Sequence, residues 1–172
     1  MDLLQHGRGK NRNIFLVGRS NCGKSFLLRP LEKIFRCLQN PAMNSFSFSG
    51  ARNKEIILLD DFRFNQAERK PITWSQMLLL LDGATVNFSQ PRTFCNEDFC
   101  LEASNSIPVF CTGKSVPVYE RNGVIDGVES EMMRNRFRVF VFHFSIPVGS
   151  HKEAIPCPRC FADLLHASCP IV

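Results

Sequence analysis

No stretch of this chain is both long and apolar enough to cross a bilayer. The longest hydrophobic run, Met77 to Leu81, falls far short of the roughly 20 residues a membrane helix needs. The opening residues, MDLLQHGRGKNRN, lack the continuous apolar core of a secretory signal. Both absences point to an intracellular protein, nuclear or cytoplasmic, with no membrane partner. Charge of one sign is also in short supply. A net +5 over 172 residues is compatible with a polyanion partner but does not demand one, because an ATP site also needs positive potential. Apolar content of 44% and charged content of 22% exclude a disordered chain and predict one domain with its own core. Eight cysteines in a chain of this class read as reduced thiols or metal ligands, not as a disulfide framework.

The stretch that organises the rest is Asn13 to Phe26, NIFLVGRSNCGKSF. Ile14 to Val17 read as a buried strand that breaks at Gly18 into a loop closing with Gly23, Lys24 and Ser25. The pattern is G-x-x-x-x-G-K-S. Its glycines let backbone N–H groups turn inward, where they and the next helix N-terminus hold phosphate oxygens. Lys24 would reach the β and γ phosphates, and the Ser25 hydroxyl would ligate Mg2+. Nucleotide contacts are expected at Gly18, Asn21, Cys22, Gly23, Lys24, Ser25 and Phe26. The apolar spacing then predicts a helix to about Gln39, kinked or split at Pro30.

Glu55 to Phe62, EIILLDDF, is the second decisive stretch. Four apolar residues form a strand buried on both faces, as in a parallel sheet covered by helices. Asp60 and Asp61 sit at its C-terminal end, where open α/β sheets bind ligands. Adjacent carboxylates repel unless a cation is present. Asp60 would hold Mg2+ through water, and Asp61 would orient or deprotonate an attacking water.

Residues 1–13 read as a polar lead-in, with Arg8, Lys10 and Arg12 either solvated or touching phosphate. Asn44 to Ser49 reads as a short strand, Ile72 to Leu81 as a helix with Trp74 in the core, and Thr85 to Phe88 with Phe94 to Leu101 as hairpin arms. Tyr119 to Glu131 reads as a glycine-containing loop, and Met132 to Phe144 as a strand. In the tail, 148–172, Cys157 and Cys160 have the C-x-x-C spacing of a zinc hairpin that His166 and Cys169 could complete. Phe161, Leu164 and Leu165 fit a small amphipathic helix equally well.

The order of phosphate loop, LLDD strand, helix near a tryptophan, LDGATVNF, a strand ending in a polar turn, and NRFRVFVF resembles the superfamily 3 helicases. These are the ATPase motors of small viruses such as papillomaviruses and parvoviruses. The resemblance covers about residues 13 to 147. It implies an α/β fold of the P-loop NTPase class, a modified AAA+ parallel-sheet core flanked by helices, spanning 14–147. It also implies ATP and Mg2+ as cofactors, single-stranded or forked DNA as partner, a ring of identical subunits, and the host nucleus if the chain is viral. Arg136 occupies the position of a family arginine that reaches into the adjacent subunit's site, where a guanidinium stabilises the transferring phosphoryl group. Arg92, beside Pro91, is what the chain offers for the family's DNA-tracking hairpin. The family's water-polarising asparagine is replaced by the turn Cys111, Thr112, Gly113, Lys114. Either Lys114 stands in for it or Thr112 does a reduced version of the job. A small nucleotide kinase and a module that binds nucleotide or a partner without translocating are the alternative readings.

Overall fold

Ile56, Ile57, Leu58 and Leu59 are all buried, and successive strand residues point to opposite faces. A sheet containing them must be covered on both sides. The computed structural model, which describes residues 2–39, 48, 50–64, 72–88, 99–101, 106–150 and 156–168, has such a sheet. Its five strands lie in the order β2 (Cys37–Gln39), β3 (Ile56–Leu59), β6 (Val109–Gly113), β1 (Asn13–Gly18), β9 (Phe137–Phe142), and every neighbouring pair is parallel.

Phe15, Ile57, Leu59, Val109 and Cys111 face one side. There they join Met77, Leu80 and Leu81 of α3 (Trp74–Asp82) and Met133 of α4 (Gly127–Arg134). Ile14, Ile56, Leu58 and Phe110 face the other side, against Leu3 of α1 (Asp2–His6), Leu28 and Leu31 of α2 (Lys24–Ile34), and Phe161 and Leu165 of α5 (Pro158–Ala167). The result is three layers, a parallel sheet between two sets of helices. Register aligns Val17 with Gly113 and Leu59 with Cys111, so β1, β3 and β6 all end at the same edge.

α3 starts with a capping box. The Thr73 side chain accepts from the Gln76 N–H while the Gln76 side chain accepts from the Thr73 N–H, and Gly83 closes the helix at φ 81°. Trp74 is buried in the core, as its spacing predicts, and its Nε1 donates to Glu129 Oε2 at 2.9 Å.

Four expectations are corrected. α2 ends at Ile34 with Pro30 inside it and unbroken. Cys37–Gln39 is not helical but extended, because its backbone pairs with Ile56–Leu58, a ladder that local helical spacing does not reveal. The loop expected at 119–131 holds a hairpin, β7 (Tyr119–Arg121) and β8 (Val124–Asp126), turning at Asn122 (φ 53°) and Gly123 (φ 80°). α4 follows, with Asp126 accepting from the Val128 and Glu129 N–H groups. Met132 to Arg134 is therefore helical, and the strand begins at Phe137. The lead-in is folded too. Leu3 is buried, and Arg8, 1% exposed, donates to the Ala84 carbonyl at 3.2 Å.

β4 (Val86–Phe88) and β5 (Phe99–Leu101) pair antiparallel, as the hairpin reading predicts. Their turn, with Arg92, lies outside the described residues. So does the strand expected at 44–49, apart from Phe48, which is buried and stacks on Phe88 with ring centroids 4.5 Å apart. No helix among the described residues is long and apolar enough to cross a membrane.

Candidate functional site

β1 delivers the chain to the sheet edge at Gly18, where any side chain would collide. A Cβ there would lie 2.7 Å from the Phe142 carbonyl of β9 and 2.9 Å from Cys22 Sγ. The loop then turns through Asn21 (φ 61°) and Gly23 (φ 87°), both left-handed. Gly23 opens α2 with no side-chain cap and no acidic residue in the first turn. The helix N–H groups and their partial positive charge are thus directed at whatever sits over the loop. Lys24 folds back along it, Nζ donating to the carbonyls of Gly18 (2.9 Å) and Arg19 (2.8 Å), with Cys22 Sγ at 3.3 Å. The Cys22 thiol itself donates to the Arg19 carbonyl at 3.0 Å.

The phosphate loop and the acidic pair meet. Ser25 Oγ donates to Asp60 Oδ1 at 2.6 Å, and Thr112 Oγ1 donates to the same oxygen at 2.6 Å. Thr112, 1% exposed at the end of β6, also accepts the Asp61 N–H at 2.9 Å, while its carbonyl accepts the Phe62 N–H at 2.7 Å. The ends of β3 and β6 and the start of α2 are tied through two hydroxyls and one carboxylate. Asp61 takes a left-handed φ of 47°, uncommon for a residue with a Cβ and typical of functional turns. Its carboxylate pairs with Arg63 Nη2 at 2.6 Å.

These donors fit a hard cation. Ser25 Oγ and the exposed Asp60 carboxylate are oxygen ligands side by side, and Mg2+ usually takes one or two carboxylates and leaves its other positions to water and phosphate. A cavity of about 420 Å3 lies over the loop, lined by Asn21 to Phe26 together with Arg29, Ile146 and Ser150. The Ile146 N–H donates to the Asn21 carbonyl at 2.7 Å, so the segment after β9 closes over the loop. Arg29 also borders a smaller cavity beside Ser25 and Asp60. Sequence reading passed over it, although it stands four residues after Ser25 on the same helix face.

Arg136 is bonded within its own chain. It is 8% exposed; Nε donates to the Leu78 carbonyl at 3.0 Å, Nη1 to the Met132 carbonyl at 2.5 Å, and Nη2 to Asp82 Oδ2 at 2.5 Å. Two arms of the guanidinium tie the start of β9 to α3, and the third ties it to α4. Lys114 is exposed and stands with Arg63 and Arg121 around a cavity of about 750 Å3 beyond the ends of β3 and β6.

Cys157 and His166 lie at opposite ends of α5. Cys157 precedes α5 and His166 lies in its last turn; at 1.5 Å of rise per residue they are roughly 13 Å apart along the axis. Among the described residues no three His, Cys, Asp or Glu side chains group to hold a metal ion, and Cys169 lies outside them.

No protein-family model matches the chain, nor does any curated protein. Among solved structures, two of the JCV (JC virus) helicase are similar to it. One, bound to a thiazolopyridine acetamide, is 16% identical with a TM-score of 0.46 over 79% of this chain. The other is 16% identical with a TM-score of 0.45 over 80%. The chain spans 37% and 36% of the length of those structures.

Proposed function

We propose that this chain is an ATP-binding and ATP-hydrolysing motor domain of the superfamily 3 kind, built on a modified AAA+ core and acting on single-stranded or forked DNA as a ring. The observation that carries the reading is the Ser25–Asp60–Thr112 linkage. Two sequence motifs far apart in the chain supply adjacent oxygen ligands at the mouth of a phosphate loop. Gly18, Asn21, Cys22, Gly23, Lys24, Ser25 and Phe26 hold the triphosphate, with Arg29 beside them. Ser25 and Asp60 would hold Mg2+, which when bound would supply positive charge against the phosphates.

Asp61 orients or deprotonates the attacking water once its carboxylate is released from Arg63. Thr112 is a positioning residue, because it holds Asp60 by its side chain and Asp61 by its backbone. The arginine supplied in trans, which a ring requires, comes from a residue other than Arg136.

A second reading, a module that binds nucleotide without turning it over, is favoured by one observation. Asp61 is occupied by Arg63, and the turn after β6 carries no asparagine.

The deciding experiment is ATP hydrolysis by the purified chain over a range of protein concentrations, with and without single-stranded DNA. Hydrolysis that rises steeply with concentration and is stimulated by DNA is expected. Binding without turnover under all conditions would leave the second reading.

A further inference from the structure

Cys157 and Cys160 are set apart from the other described cysteines. They are exposed, whereas Cys22 and Cys111 are buried and Cys37 is half-buried. They bracket the first turn of α5. Cys157 is the N-cap, at φ −56° and ψ 116°, Pro158 takes the first helical position, and Cys160 the third. Cys157 Sγ accepts the Cys160 N–H at 3.5 Å.

Packing does not require them. α5 is held to α2 through Phe161 and Leu165. No group of three metal-ligating side chains includes them among the described residues, and Cys169 lies outside those residues.

Residues three apart on a helix have Cβ atoms about 5–6 Å apart, wider than the ~3.8 Å of a disulfide. The non-helical backbone at Cys157 narrows that gap, as the contact of its sulfur with the Cys160 amide shows.

We propose that Cys157 and Cys160 form a redox-active dithiol that exchanges with small disulfides, Cys157 attacking and Cys160 resolving. The Cys157 thiolate attacks one sulfur of a small disulfide, forms a mixed disulfide and expels one thiolate. Cys160 then gives its proton to solvent, and its sulfur attacks Cys157 Sγ, expelling the second thiolate. Two protein thiols are oxidised to one disulfide, and the small disulfide is reduced to two thiols that take up the two protons.

The division of roles follows from the local fields. Cys157 Sγ caps the helix start and accepts the Cys160 N–H, where amide donors and the helix N-terminus favour a thiolate, whereas no amide donor is directed at Cys160 Sγ among the described bonds. An exposed thiol with thiolate character is the attacking partner in such exchange.

The test uses the full chain equilibrated in glutathione buffers of rising oxidised fraction, then alkylated, digested and weighed. The peptide carrying both cysteines should pass in one step from doubly alkylated to an internal disulfide while Cys22 and Cys111 stay reduced. Iodoacetamide at neutral pH should modify Cys157 about tenfold faster than Cys160. Cys160→Ser should accumulate the mixed disulfide of Cys157 with glutathione, and Cys157→Ser should leave Cys160 largely unreacted. Both side chains are exposed, so neither variant should disturb the fold, which circular dichroism checks. Equal alkylation rates, a pair still fully alkylated in the most oxidising buffer, or one equivalent of zinc shielding both thiols would each overturn the proposal.

Discussion

Thr112 donates its hydroxyl to Asp60 Oδ1 over 2.6 Å, from the strand beside the one that leads into the phosphate loop. Because β6 lies between β1 and β3, its last side chains are the ones able to brace both neighbours. Thr112→Val keeps the shape but leaves the Asp61 N–H without its acceptor, a loss of about 1–3 kcal/mol where the group is buried. Urea unfolding should show this, and ATP turnover should fall by at least about tenfold, the rate equivalent of roughly 1.4 kcal/mol, while nucleotide affinity holds. Unchanged turnover would remove Thr112 from the site.

Lys24→Ala should abolish nucleotide binding, and Asp60→Asn should abolish Mg2+-dependent turnover while nucleotide still binds. Equilibrium titration with a fluorescent ATP analogue, with and without Mg2+, separates the two. Wild-type turnover in both variants would sink the site assignment.

Arg136→Ala should act on stability. It strands Asp82, whose side chain is 29% exposed, and removal of one partner from a buried pair costs about 3–5 kcal/mol. The low end is expected here because Asp82 retains some solvent. Arg136→Lys should recover little, since an ammonium cannot serve three divergent acceptors. A variant of normal melting temperature with lost hydrolysis would return Arg136 to a role at a neighbouring subunit.

Gly18→Ala places a methyl 2.7 Å from the Phe142 carbonyl, backbone against backbone. Overpacking of this kind costs typically about 1–3 kcal/mol, and forcing β9 from β1 should also weaken nucleotide binding. Thermal melting read beside ATP affinity would show both effects; neither moving would mean the loop relaxes freely.

Acid should loosen the junction between α2 and β2. Glu55 accepts the Arg36 N–H at 2.8 Å and pairs with its side chain at 3.4 Å, and these bonds hold its carboxyl below the ordinary 4.5. A depressed folded value means the contribution is present above 4.5 and disappears as pH falls through the folded value. Glu55→Gln should flatten the acid side of the stability profile below pH 4.5; an unaltered slope would assign that side to other carboxylates.

The readable parts share a property: their information is local. Gly18 to Ser25 and Ile56 to Asp61 carry motif and strand in consecutive residues, and Thr73 with Gln76 and Gly83 writes the ends of α3. Some misses were also local. Asn122-Gly123 between two β-prone triplets is a strong hairpin signal, and Asp126 before Glu129 is a capping pattern. The fate of Cys37–Gln39 was different in kind, because three residues of ambiguous propensity follow whichever strand pairs with them.

Sequence by itself determined that a phosphate-loop strand and an acid-tipped strand belong to one parallel sheet, since glycine spacing and two-faced hydrophobicity are properties of adjacent residues. Tertiary structure alone decided which strand lies between them, and so made Thr112 the brace of Asp60. It also decided that the Arg136 guanidinium is buried against partners of its own chain. A guanidinium reads identically in sequence whether its partners are solvent or Leu78, Met132 and Asp82, because those partners are brought to it only when α3 packs across the start of β9.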